Sequence, residues 1–477
     1  MPGRDAGSLA PPAKRNPVGL MTDFSETPET PHSATESYRN VAAIVAALAI
    51  LQMAAGALSV VGPLSLISSG ASSFKIGIIV AGYATGFLLG ANFAPREIAR
   101  IGHIRAIAGF AAVTAIAVAA LYVSSATAWW LVMQFIMGLC VASFLAAGES
   151  WVADAAPPDR RGAILAFYLV SGKIGFIIGP FLVAGIEPGV AAGFLVVAAL
   201  YTASLIPATA TNRAQPAPPS SERFGPRKVF QIAPSAIIAA LAAGLVNGPV
   251  MQLYAVFVGG MGTESVVQTA ALFNACLVGG SVLAQWPAGL LSDRMDRRIV
   301  IAGLALTAGV SALALGLLSG VLPLLVIFAV AAIWGAGAQS YYGIAVAHAA
   351  DRAPEGQAAN MMSGILTAYG FGTMLGPLLA GIVMALLGPS ALFLYAAIIL
   401  FALFGAMLYR RGGKAPVSEN DKSDFEPVSA TSVAVYDLTE VASEEEDASA
   451  SFEDEQDMPP ADVDDDAGDA DENYWER

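Results

Sequence analysis

Charge is scarce in this chain: 13% of its 477 residues are Asp, Glu, Lys or Arg, where a soluble protein carries about a quarter. That deficit excludes an ordinary solvated globule. With three His and two Cys, the chain has no cluster at metal-ligand spacing and no disulfide framework. Cys140 and Cys276 both fall in apolar stretches and read as small packing residues. No Ser-His-Asp arrangement occurs in a plausible frame, and no Gly-x-x-x-x-Gly-Lys-Ser/Thr loop is present to cradle a nucleotide. The expectation is a protein that is not an enzyme, uses no metal or cofactor, is not driven by ATP and binds no nucleic acid.

What is abundant is apolar surface. Hydrophobic residues make up 56% of the chain and the mean hydropathy is +0.63. Uncharged runs extend from Val41 to Phe74, from Ala106 to Gly148 and from Ile299 to Ala350. A helix needs about 20 apolar residues to cross the hydrocarbon core, and the last run, at 52 residues, accommodates two crossings. These segments are too long and too uniformly apolar for the alternating strands of a barrel. An all-α integral membrane protein follows. Windows between Gly, Pro, Ser and charge breaks place twelve spans near 41–66, 75–95, 106–124, 127–152, 162–185, 190–209, 230–257, 266–290, 299–319, 322–348, 359–386 and 389–409.

Basic residues orient these spans in the bilayer. Of the 24 Lys and Arg, 22 lie in the terminal segments and in every second connection, leaving only Lys75 and Lys173. The positive-inside rule puts that side, with both termini, in the cytoplasm. The first forty residues are polar and hold no apolar signal region, and Met21 is an alternative start. Residues 415–477 hold 22 of the 38 acidic residues and two basic ones, a balance of −20, against +6 for the remainder. Such a segment has too few large apolar residues to fold alone. It reads as a solvated tail or as an arm that docks a cytoplasmic partner. Its Asp spacings do not match a calcium-binding loop.

The two halves echo each other. Gly175-x-x-x-Gly179-Pro180 in the fifth span recurs 197 residues later as Gly372-x-x-x-Gly376-Pro377 in the eleventh. Arg100-x-Gly102 precedes Arg294-x-Asp296 by 194 residues. Glycines four apart let helix backbones approach closely, and a Pro weakens one turn and permits bending. Matching offsets imply two six-helix pseudo-symmetric bundles, at 41–209 and 230–409, joined by a linker at 210–229 and flanked by tails at 1–40 and 410–477.

Residues 286–298, from Trp286-Pro287-Ala288-Gly289 through Ser292-Asp293-Arg294 to Arg297-Arg298, resemble the loop signature Gly-x-Leu-x-Asp-Arg-x-Gly-Arg-Arg of the major facilitator superfamily. The Gly-Pro segments resemble the fifth-helix motif of its antiporter branches. Gly138 and the stretch from Glu149 to Gly162 fit its fourth-to-fifth-helix region. The resemblance covers about residues 40–410 and is closest to a bacterial branch grouped with sugar and drug transporters. It implies the major facilitator fold in the bacterial inner membrane. Its function would be alternating-access transport of a small organic solute, proton-linked and leaning toward efflux. Three departures stand out. Ala99 occupies the place of the first-half Asp, Met295 that of a Gly, and Gln134 that of an Arg which some members use in proton coupling. The last keeps a passive uniporter in view. A membrane scaffold that recruits a partner through the acidic tail is the alternative from another class.

Three groups of residues are candidates for the work. Glu149 and Lys173 are ionisable residues inside spans, at broadly similar depths on neighbouring helices. They read either as a proton-binding carboxylate tuned by a lysine or as a static ion pair. The resemblance makes Gly289, Asp293, Arg294, Arg297, Arg298 and Arg100 a cytoplasmic latch, broken and remade as the halves rock; for Arg297 and Arg298 a topology signal alone would suffice. It also gives a central cavity lined by spans one, four, seven and ten. Their polar and aromatic residues are Gln52, Gln134, Asn247, Gln252, Tyr254, Trp334, Gln339, Tyr341 and Tyr342. Each of these serves equally as interhelical packing. As a set they suggest an uncharged or amphipathic cargo.

Overall fold

The computed structural model describes residues 34–157, 160–209, 225–354, 357–412 and 422. The polar amino-terminal segment to residue 33, linker residues 210–224 and nearly all of the acidic tail lie outside the described residues, as does the choice between Met1 and Met21.

Inside hydrocarbon a backbone must satisfy its own N–H and C=O groups, and these sequences do so as helices. Among the described residues, twelve helices are long and apolar enough to cross a membrane. In chain order the elements are α1 Ala34–Ser68, α2 Ser73–Ile101, α3 His103–Leu121, α4 Thr127–Ala155 and α5 Arg161–Leu182. The sixth span is α6 Ala191–Ala203 continued by α7 Leu205–Thr209. After the linker come α8 Pro226–Ile232, α9 Pro234–Gly259, α10 Val266–Arg294 and α11 Arg297–Leu318. The tenth span is α12 Leu324–Ala338 followed by α13 Tyr341–Ala350, and α14 Ala358–Leu387 and α15 Ala391–Arg411 complete the chain. Several helices run past their apolar windows: α2 reaches Ile101, carrying Arg96 and Arg100 out of the apolar zone.

Two further differences have local causes. The seventh span begins at Pro234 rather than near 230, because α8 ends at Ile232 with Ala233 as its cap, and a proline, which lacks an N–H, suits a first turn. The tenth span is broken at Gln339 and Ser340, where no charge or proline in the sequence marks the interruption.

The halves repeat one packing scheme. In the first, α1 lies on α5, α2 on α4 and α3 on α6; in the second, α9 lies on α14, α10 on α12 and α11 on α15. The halves then meet along α2 against α14 and α5 against α10. Lipid tails are as apolar as leucine, so close packing has to hold these helices together. The repeated glycines supply it. A Cβ on Gly179 would stand 2.0 Å from the Met53 carbonyl oxygen of α1, and one on Gly372 would stand 2.5 Å from that of Leu241 in α9. Gly175 and Gly376 meet Ala49 and Pro249 on the same two helices. Pro180 and Pro377 continue within α5 and α14.

Adding one methyl group at such a crossing forces the helices apart, a cost of about 1–3 kcal/mol. Gly179→Ala is expected to lower the thermal unfolding midpoint of the detergent-solubilised protein. Gly109→Ala, where nothing lies within 4 Å, should leave it unchanged or raise it slightly. Light-scattering or dye-binding melts of the two variants make the comparison.

Candidate functional site

Between the halves lies a cavity of about 520 Å³. One wall comes from α1, α2, α4 and α5 with Tyr201 of α6, the other from α9, α10 and α14, with Gln339 at the break between α12 and α13. It runs from Ser59 and Gly62 in α1 to Gly225 and Pro226, beside the linker, at the end of the bundle that carries the basic loops. At the opposite, far end the halves close tightly. A Cβ on Gly77 of α2 would stand 2.5 Å from the Pro377 carbonyl oxygen of α14, and Gly381 packs on the same face. Ser59 and Tyr254 hydroxyls meet at 2.8 Å across the halves, and Asn274 of α10 donates to the Phe176 carbonyl of α5.

Gln52, Gln134, Asn247, Gln252 and Gln339 line this cavity. Asn247 donates to the Ala338 carbonyl at 2.9 Å, which helps satisfy the last turn of α12 at the break, and Gln339 approaches the Met251 sulfur at 3.4 Å. The four aromatic candidates are placed differently. Tyr254, Trp334, Tyr341 and Tyr342 are buried in the second half, and none of them lines the cavity. Tyr254 stacks on Phe273, Trp334 meets Phe393 edge-on at 5.7 Å, and Tyr342 lies 4.9 Å from Tyr369. Their rings are core. The cavity's own aromatics are Tyr83, Phe87, Phe176, Tyr201 and Tyr369.

The expected pairing of Glu149 with Lys173 does not form. Glu149 is buried away from the cavity, and Tyr168 of α5 donates to its Oε1. One residue on, the Ser150 hydroxyl lies 3.1 Å from His103 Nε2. Lys173 points the other way, into the cavity wall, where its Nζ donates to Ser281 Oγ at 3.0 Å and Gln285 Oε1 at 2.8 Å. Both acceptors belong to α10, so this lysine ties one half to the other.

At the basic end, a charge network joins α10, α11 and the end of α13. Arg297 donates through Nε and Nη2 to the two carboxylate oxygens of Asp351, at 2.6 and 3.0 Å, with both side chains 1% exposed. Its Nη1 reaches Ser292 Oγ and Asp293 Oδ1, each at 3.2 Å. Arg298 forks onto Asp296, the cap of α11, and donates to the Arg410 carbonyl at 3.0 Å. Burial alone would raise the Asp296 carboxyl, but the hydrogen bonds and charge of Arg298 hold it below the ordinary carboxylate value. Arg297 and Arg298 are thus buried structural partners, and the topology-signal reading is too small for them. Arg294 is exposed, Gly289 is buried with its carbonyl taken by the Ser292 hydroxyl, and Arg100 is exposed on a pair with Glu97 of its own helix. From the tail, Lys422 donates to the Asp293 and Met295 carbonyls.

Comparison with known families decides what this architecture is. The Major Facilitator Superfamily model matches residues 44–286 and 265–443. The chain belongs to the major facilitator superfamily. As a member of that superfamily it is a multi-pass membrane transporter. Relatives include the uncharacterized MFS-type transporter YcaD of Salmonella enteritidis PT4, 26% identical over 381 residues, which cover 79% of this chain and 97% of the relative. The YcaD of Escherichia coli O17:K52:H18 is 24% identical over 380 residues, with the same coverage. Among solved structures, a point variant of the nucleoside transporter NupG superposes with a TM-score of 0.65 at 13% identity, covering 78% of this chain and all of NupG. A bacterial homolog of the human lysosomal transporter Spinster, in an inward-facing and occupied conformation, superposes with a TM-score of 0.62 at 16% identity over 90% of this chain and all of that one. At these identities the likeness is one of fold.

Asp351, Ser281, Gln285 and the cavity tyrosines are the residues that sequence reasoning missed. Gln285 and Asn92 were the available signal, as polar side chains within the spans of α10 and α2.

Removing one partner of a buried ion pair strands the other, at a cost of about 3–5 kcal/mol. Arg297→Ala and Asp351→Ala are each expected to destabilise the protein by that amount, with much of the loss recovered in Arg297→Met/Asp351→Leu, measured by denaturant or thermal unfolding in detergent. The depressed Asp296 carboxyl has a linked effect. Its stabilisation is complete above the ordinary carboxylate pKa and is lost as pH falls through the lower folded-state value. The stability gap between wild type and Asp296→Asn should therefore be widest above about pH 5 and shrink toward pH 3, read from melts across that range.

Proposed function

We propose that this protein carries a small organic solute across the bacterial inner membrane by alternating access, linked to proton movement and favouring export. One observation carries the reading: both halves wall a single cavity that is sealed by backbone contact at one end. The positive-inside rule places the basic end, and with it both termini, in the cytoplasm. The far-end seal of Gly77 on Pro377 then corresponds to a state reached from the cytoplasm. Rocking would part α2 from α14 at that seal and bring the basic ends of the halves together. Asp293, with Arg297 and Asp351, clasps the cytoplasmic ends of α10, α11 and α13 within the second half, and the latch role, broken and remade as the halves rock, is proposed for Asp293 at this clasp.

Glu149 is the proton site in this reading. A carboxylate buried between α4 and α5 and held by a tyrosine hydroxyl has the setting in which protonation state follows helix movement. Export is the direction favoured by the antiporter-like Gly-Pro motif of α5. Passive uniport is the second reading. It rests on Gln134, a neutral amide on the cavity wall where some family members place an arginine.

The experiment is purified protein in liposomes loaded with a pH-sensitive dye, challenged with sugars, amino acids, organic acids and amphipathic drugs under an imposed proton gradient. Solute-dependent proton movement that disappears in Glu149→Gln is the expected outcome. Labelled solute that equilibrates without moving protons, in wild type and Glu149→Gln alike, would replace proton linkage with uniport. If no solute of any charge class moves, the transport proposal is wrong.

A further inference from the structure

We infer that the cargo is an organic anion whose acidic group binds Lys173. The inference rests on the transport reading and narrows its substrate class. No Asp, Glu, Arg or His is among the described residues lining the cavity, so Lys173 is its one fixed charge there. Its two hydrogen-bond partners, Ser281 Oγ and Gln285 Oε1, are both neutral. An ammonium carries three N–H donors, so one is left for a solute. Neutral oxygens satisfy donors and leave the charge without a counter-charge, which is costly in a low-dielectric wall.

An acidic group on the cargo completes the site. Lys173 supplies the positive charge, and Gln52 flanks it, since a Cβ on Gly172 would lie 3.6 Å from Gln52 Cγ. In the proposed site the Gln52 amide, which lines the same cavity, donates to a second anionic oxygen. Phe176, one turn along α5, also lines the cavity and offers a face for the organic body. The volume, about 520 Å³, falls within the range of sites for small organic ligands. Bare inorganic anions would leave most of that space unfilled.

The same contact connects occupancy with movement. Lys173 belongs to the first half and its two acceptors to the second. A bound carboxylate takes the third N–H and draws the ammonium toward itself, weakening its bonds to Ser281 and Gln285, and so changes the contact between the halves when cargo arrives. A ligand shifts a conformational equilibrium only through such a differential contact.

The test is equilibrium binding to the purified full-length protein, by calorimetry and tryptophan fluorescence, with matched acid and amide probes: benzoate with benzamide, and indole-3-acetate with indole-3-acetamide. The acids are expected to bind wild type roughly tenfold or more tighter than their amides, a difference of about 1.4 kcal/mol or more. Lys173→Gln should abolish that preference and Lys173→Arg should keep part of it. Gln285→Glu retains the lysine but gives it an internal carboxylate, and should lose the acid preference as Lys173→Gln does. That variant tests the proposal even if Lys173→Gln fails to fold. Equal binding of acids and amides, no binding of either acid, or an acid preference that survives in Lys173→Gln or Gln285→Glu would each overturn it. Binding requires no transport, so the two readings fail separately. An acid preference at Lys173 in a protein that moves no solute sinks the transport reading alone, and solute movement without that preference sinks the anion site alone.

Discussion

A helix in lipid gains nothing by hiding leucine from leucine, so in this protein backbone approach decides where each helix stands. Glycine sets that approach at corresponding crossings of the two halves, α1 with α5 and α9 with α14. The consequence reaches the cavity. Gly172, Gly175 and Gly179 turn one face of α5 toward α1, with backbone-to-backbone contact at the last two. With that face committed, Lys173 and Phe176 present themselves to α10. The rotation that brings a cation to the cavity wall is thus a by-product of how closely two other helices touch.

The chain handles its buried charges in two ways. At the basic end, Arg297 is matched by carboxylates and a hydroxyl, and Arg298 by the cap of its own helix and a carbonyl. Such closed networks fix the geometry of α10, α11 and α13. Midway along α5, Lys173 is given hydrogen bonds without a counter-ion among the described residues. Static structure is well served by the first arrangement. The second keeps a charge available to something that comes and goes.

The division between what could be read from the residues and what could not follows from the physics. Twelve spans and a twofold repeat were legible, because apolar length and motif spacing are one-dimensional properties. That Glu149 and Lys173 lie inside consecutive helices, α4 and α5, was legible too. Rotation about the helix axis was not. Glu149 faces Tyr168 while Lys173 faces α10, and nothing in their spacing gives that difference. Arg297 and Arg298 were hidden for another reason. An arginine at a span's cytoplasmic end satisfies the orientation rule whether or not it is buried, and its partner Asp351 is 54 residues away. For the aromatics of α9, α12 and α13 cavity lining and interhelical packing both stood open, because an aromatic ring fills core and cavity walls equally well. The five amides did reach the cavity, where polar groups in an apolar span find partners or solute.

The symmetry of the repeat is broken where the first half's fourth span meets its counterpart, the tenth. α4 is one uninterrupted rod from Thr127 to Ala155, while the tenth span parts into α12 and α13 at Gln339 and Ser340 beside the cavity. One half is therefore stiff where the other has a joint. α13 ends at Ala350, next to the Asp351 that clasps Arg297, so the segment below the joint is anchored to the charge network and the segment above it is not. In the rocking motion proposed above, that joint would concentrate bending on one side of the cavity, and the segments above and below it would act as unequal lever arms.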